Sequence, residues 1–196
     1  METLLPLASF TFVASITPGP NNLMLAASGV GFGLRRTLPH MLGVCVGFLA
    51  LLLVCGLGVG ALLIQSPAAA AALKVAGSAY LVYLAWMLRG NFTTEAGGAR
   101  SRPMSFLGAL AFQFANPKAW LMGVTAVSAF LPGLGSGWTA LGLLCLITCT
   151  VNFPCITSWA VLGSLIRSRL ADPRWQRWFS GSMVVMTLYA ATAIWL

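Results

Sequence analysis

Two short polar runs lie in the middle of long apolar stretches: Thr17-Pro18-Gly19-Pro20-Asn21-Asn22 and Asn116-Pro117-Lys118. Both contain residues that interrupt a helix. Pro18, Pro20 and Pro117 have no backbone N–H to donate, and Gly19 weakens the helix between the first two. In hydrocarbon, backbone groups freed by such a break must face other protein or a water-filled cavity. A half-helix N-terminus presents unpaired N–H groups and partial positive charge, which suit a carboxylate. The opposed C-terminal end offers carbonyl oxygens, which suit an ammonium or a cation. A zwitterionic amino acid displays both groups. Paired broken helices are the sequence feature that points to a transporter's binding site.

The side chains in these runs extend that chemistry. Asn21 and Asn22 add donors and acceptors, and Gln113 lies one turn before Asn116. A lysine near the bilayer centre costs roughly 2.5–3.5 kcal/mol on insertion scales. Glu2, Glu95 and Asp172, the three acids, all fall at segment ends or in loops. The expected partners of Lys118 are therefore carbonyls freed by the breaks, asparagine oxygens, or an anionic group on a substrate. A proline kink serving packing alone is the other reading of the first run, and two adjacent asparagines at that depth argue against it. A structural clamp between the broken helices is the other reading of Lys118, and both roles can hold. The expected substrate-binding set is Thr17, Pro18, Gly19, Pro20, Asn21, Asn22, Gln113, Asn116, Pro117, Lys118 and Asn152, with no catalytic or metal-ligating residue and no cofactor.

Other residues carry weaker signals. Asn152-Phe153-Pro154 places a polar residue and a proline midway along the fifth apolar segment, as a packing kink or a cavity wall. His40, the single histidine, is expected at headgroup level, solvated or relaying a proton. Lys74 is expected to snorkel toward the outer face. The five cysteines form no CxxC pair and read as small apolar packing residues. Gly43 and Gly47 form a GxxxG pair that predicts close helix packing or a homodimer, and Gly77 with Ala79 reads the same way. Several tryptophans read as interface anchors, with Trp120 the deep exception.

Positioning these residues requires a membrane scaffold. The chain has 59% hydrophobic and 7% charged residues in 196, and a mean hydropathy of +0.89. A globular domain carries about 25% charged residues. Six segments meet the roughly 17–25 residues needed to span a bilayer: Leu4–Ala27, Leu38–Ile64, Ala68–Leu88, Phe106–Leu131, Trp138–Leu165 and Trp178–Leu196. The first reads as a span rather than a cleaved signal peptide, because no Lys or Arg precedes it and the apolar run is long.

The net charge of +8 follows topology rather than a nucleic-acid surface. Arg35, Arg36, Arg89, Arg100, Arg102, Arg167, Arg169, Arg174 and Arg177 fall on alternate connections, which the positive-inside rule assigns to the cytoplasm. Both termini then face outward. Each half contributes three spans, so the halves lie in opposite senses across the membrane. The expected fold is an all-α integral membrane protein of six transmembrane helices. They form two inverted three-helix repeats (3–89 and 104–196) with broken first and fourth helices, joined by a cytoplasmic linker (90–103) in a single transporter domain.

The chain resembles the LysE/RhtB superfamily of bacterial amino-acid exporters over essentially its whole length. The resemblance is carried by Thr17–Asn22 (TPGPNN), Gly31–Arg35 (GFGLR), Ala76–Trp86 (AGSAYLVYLAW) and Asn116–Ala119 (NPKA). Pro103–Phe106, Leu110–Phe114 and Gly123–Ala126 look most like the cysteine/O-acetylserine exporter branch. The resemblance implies efflux of small amino acids across the inner membrane, driven by the proton gradient. Many members carry an acid on the fifth segment where this chain has Asn152. Its absence argues against cationic cargo, whose side-chain charge would lack a partner, and leaves proton coupling without an evident carrier. The expected cargo is a neutral amino acid or a close derivative.

Intramembrane hydrolases need a nucleophile–base pair or two buried aspartates, and neither is present. An enzyme is not expected. A channel, or a structural membrane protein without transport, stays open as the alternative.

Overall fold

The first apolar stretch cannot be one helix. Thr17 precedes Pro18 and takes the extended conformation (φ −66°, ψ 147°) that a residue before proline favours. Pro20 then opens a new helix at its first position, where the missing N–H costs nothing. The result is α1 (Leu4–Ile16) and α2 (Pro20–Phe32). Helix α3 (Leu34–Gly56) follows Gly33, whose φ of +78° is open to glycine. Next come α4 (Pro67–Leu88), α5 (Phe106–Ala115), α6 (Pro117–Leu134), α7 (Gly137–Ile166) and α8 (Pro173–Ala193). The computed structural model describes residues 2–58, 65–88, 102–169, 172–193 and 195, and among them there are eight helices and no strand.

The second break repeats the logic of the first. Asn116 is extended (φ −93°, ψ 107°), Pro117 takes the first helical position, and the Asn116 side chain accepts from the Lys118 N–H. The expected segments thus become helices with two changed starts, one of them α8, which begins at Pro173 rather than Trp178. Helix α3 starts at Leu34 rather than Leu38, so Arg35 and Arg36 lie within its first turn. Residues 59–64 and most of the expected linker lie outside the described residues.

Helix α7 is central, packing against α1, α2, α3 and α6, while α3 also packs on α5 and α4 pairs with α8. Close approach of α2 and α7 depends on Gly29 and Gly163, because a Cβ on either would collide with the backbone of the facing helix. Gly43 and Gly47 do the same for α3 against α5. The GxxxG pair is therefore used within the chain, and a homodimer draws no support from it. Gly77 on α4 meets the Pro117 ring.

Polarity is partly inverted relative to a water-soluble protein. Leu5, Leu107, Leu121, Trp138, Leu165 and Trp178 are among the exposed apolar residues, whereas Thr11, Ser15, Asn22, His40, Gln113, Asn116, Thr148 and Asn152 are buried. Helices α3 and α7 are long and apolar enough to cross a membrane; α1 and α5 are shorter apolar helices.

Candidate functional site

The broken ends meet. At the C-terminus of α1 the freed oxygens have identifiable partners. Asn22 Nδ2 donates to the carbonyls of Ser15 (2.7 Å) and Thr17 (2.8 Å). Trp159 Nε1, from α7, donates to the Ile16 carbonyl at 3.1 Å. Lys118 Nζ, from the start of α6, donates to Thr17 O and Thr17 Oγ1, both at 2.9 Å, and to Pro18 O at 3.2 Å. These partners of the half-buried ammonium are neutral oxygens. Gly19 makes room for this side chain, since a Cβ there would lie 2.8 Å from Lys118 Cδ.

A second contact joins the breaks through amides. Asn21 Nδ2 donates to Gln113 Oε1 at 2.8 Å, and Gln113 Nε2 donates back to Asn21 Oδ1 at 3.1 Å. Gln113 also donates to the Ala109 carbonyl and is fully buried. At the end of α5, Trp120 Nε1 donates to the Phe114 carbonyl at 2.9 Å.

The two half-helix N-termini differ. That of α6 is capped by Asn116, whereas α2 has no side-chain cap at Gly19. The first N–H groups of α2 lack intrahelical partners and carry the positive end of the helix dipole. They border a cavity of about 30 Å³, enough for water but too small for an amino acid. Gly19, Pro20, Asn21, Asn22, Asn116, Lys118 and Asn152 line it, together with Ser15, Phe48 and Met122. Asn152 donates to Ser15 Oγ at 2.9 Å, yet its buried Oδ1 has no partner. Of the remaining expected site residues, Thr17 and Pro18 supply oxygens to Lys118, Gln113 holds Asn21, and Pro117 packs behind the break.

Several expectations change. His40 is 1% exposed rather than solvated, because α3 turns that face inward and Ser28 Oγ lies 3.0 Å from its Nδ1. Trp159, one of the tryptophans, holds a broken helix end. Lys74 Nζ lies 5.8 Å from the centre of the Trp195 ring. Pro154 is an exposed residue within an uninterrupted α7. Ser15 was not anticipated, although Thr11 and Ser15 on α1 and Thr148 and Asn152 on α7 each repeat at four-residue spacing. That spacing puts each pair on one helix face. Thr11 Oγ1 and Thr148 Oγ1 are also buried without partners.

The family described as LysE type translocator matches residues 12–195. The chain is 35% identical over 160 residues to the cysteine/O-acetylserine efflux protein of Escherichia coli (strain K12), covering 81% of each chain. The proteins of the same name from Shigella flexneri serotype 5b (strain 8401) and Shigella sonnei (strain Ss046) match with the same identity and coverage. No solved structure matches.

Proposed function

The chain belongs to the LysE type translocator family, and from that premise we propose that it exports a small neutral amino acid or close derivative from the cytoplasm. The cargo class is taken from the cysteine/O-acetylserine efflux relatives. The single observation that carries the reading is the uncapped N-terminus of α2 beside a cavity lined by Lys118 and by Asn152, whose Oδ1 has no partner, with the Thr17 and Pro18 oxygens of the α1 end held by that same lysine. A carboxylate fits the first, and an ammonium fits the oxygens.

In this reading α1–α2 and α5–α6 are the broken first and fourth of six spans in the bacterial inner membrane, with both termini outside. The two three-helix halves are inverted repeats and rock about the site in alternating access. The Asn21 and Asn22 region with the α2 N-terminus holds the substrate carboxylate, assisted by Lys118. Carbonyls near Ile16 and Thr17, with Asn116, hold the amino group. The proton gradient drives export.

Counterflow in proteoliposomes tests the reading. Vesicles preloaded with unlabelled O-acetylserine or cysteine should transiently accumulate labelled substrate above equilibrium. A channel would equilibrate label without overshoot, and a protein without transport would leave it outside. Either result rejects the carrier.

A further inference from the structure

The oxygens suited to a substrate's amino group are already held by an ammonium. Lys118 Nζ donates to Thr17 O, Thr17 Oγ1 and Pro18 O within 2.9–3.2 Å. Its chain crosses the break over Gly19, where a side chain would obstruct it. The adjoining cavity, which Lys118 helps to line, is about 30 Å³, room for water and not for an amino acid. We propose that Lys118 is a tethered occupant of the amino-group subsite, and that the amino group of a free amino acid takes its place. This rests on the transport reading above.

Charge makes the exchange specific. A substrate that displaces Lys118 leaves that ammonium without its three oxygens in a low-dielectric site, at a cost. A substrate carboxylate restores a partner to it. An amine without a carboxylate cannot, and would place two cations side by side. A carboxylate without an amine would leave the α1 oxygens unpaired once the lysine moved. Only a molecule carrying both groups satisfies both ends, so Lys118 acts as a selectivity residue that rejects simple amines. No carboxylate on the protein is needed for this discrimination.

The prediction is that removing the lysine opens the subsite to simple amines. Purified wild-type protein and Lys118→Ala are heated in detergent with ethylammonium, tetramethylammonium or sodium chloride at matched ionic strength. Ethylammonium should raise the midpoint of Lys118→Ala by roughly 2–4 °C in a concentration-dependent way and leave wild type unmoved. Tetramethylammonium has no N–H to donate and should shift neither. Lys118→Met, which keeps most of the stem, should follow the same pattern and serves if the alanine variant accumulates poorly. Ethylammonium stabilising wild type and variants equally, or stabilising neither variant, overturns the proposal. Counterflow by wild type reports separately on transport, so success there with failed amine binding removes only the exchange.

Discussion

Lys118 Nζ lies 2.9 Å from the Thr17 carbonyl oxygen, so a cation at the start of one broken helix closes the end of another 101 residues earlier. The contact is the clamp between the breaks, and the proposed site role of this lysine uses the same three oxygens. In the exchange proposed above, the charge that holds the two half-helices together is also the charge that a substrate's amino group replaces.

The first prediction follows from that double role. Lys118→Ala and Asn21→Ala should each strongly reduce counterflow, Lys118→Ala by roughly 10- to 150-fold, while immunoblots show membrane levels close to wild type. Loss of the charge-assisted Lys118 contacts is worth about 1.5–3 kcal/mol, roughly 10- to 150-fold, and no other cation lines the cavity. Asn21→Ala instead removes the two neutral bonds to Gln113 at the start of α2. Wild-type rates in both variants would place the binding site elsewhere.

The Asn21–Gln113 pair links the breaks without charge, and its two hydrogen bonds depend on each other. Removing Asn21 leaves the buried Gln113 Oε1 without this donor, although Gln113 Nε2 keeps the Ala109 carbonyl, and removing Gln113 leaves the part-buried Asn21 amide without both bonds. Gln113→Ala and Asn21→Ala should each lower stability by about 1–3 kcal/mol. The double variant should cost less than their sum, with a coupling of about 0.5–3 kcal/mol. Thermal unfolding of the four proteins in detergent measures this, and strict additivity would show that the amides do not act together.

Helix contact supplies the third prediction. Gly163 faces the Ala26 backbone and Gly29 faces the Ala160 backbone, so neither neighbour can move aside as a flexible side chain would. Gly163→Val should separate α2 from α7, destabilise the protein by at least about 1–3 kcal/mol, and displace Trp159 from the Ile16 carbonyl. Size-exclusion profile and thermal midpoint report the first effect, and tryptophan fluorescence the second. Gly181→Ala, where an added Cβ meets nothing within 4 Å, is the matched control.

Much of this arrangement was legible in the residues because prolines and glycines act locally. Pro18, Pro20 and Pro117 mark the breaks to within a residue, since each removes a backbone donor at its own position. The partners across the breaks were less visible. Lys118 pointed to carbonyls in general, and only the packing of α6 beside α1 selects Thr17 and Pro18. Ser15 escaped because a lone serine in an apolar helix carries little signal; the four-residue repeat with Thr11, matched by Thr148 and Asn152, was the available clue. His40 was misplaced because Arg35, Arg36 and Pro39 suggested a headgroup environment, while one face of α3 turns inward. The role of Trp159 carried no signal of its own in the sequence, since the general preference of tryptophan is for interfaces, and only the packing of α7 beside the end of α1 brings its donor to the Ile16 carbonyl.

The fourth prediction concerns cargo charge. Asn152 is one of the cavity-lining residues; its buried Oδ1 has no partner, while its Nδ2 donates to Ser15 Oγ. In Asn152→Asp that amide donor is lost, but the Ser15 hydroxyl can reverse and donate to the new carboxylate, so the local structure should persist. The added negative charge then offers a cationic side chain the partner it lacks in the wild-type cavity. Counterflow of lysine or arginine relative to a neutral amino acid should rise at least about tenfold, which corresponds to about 1.4 kcal/mol of altered preference. Neutral cargo should weaken, because the new carboxylate also competes for Lys118. A variant that folds, transports neutral amino acids unchanged and still rejects lysine would show that residue 152 does not face the cargo.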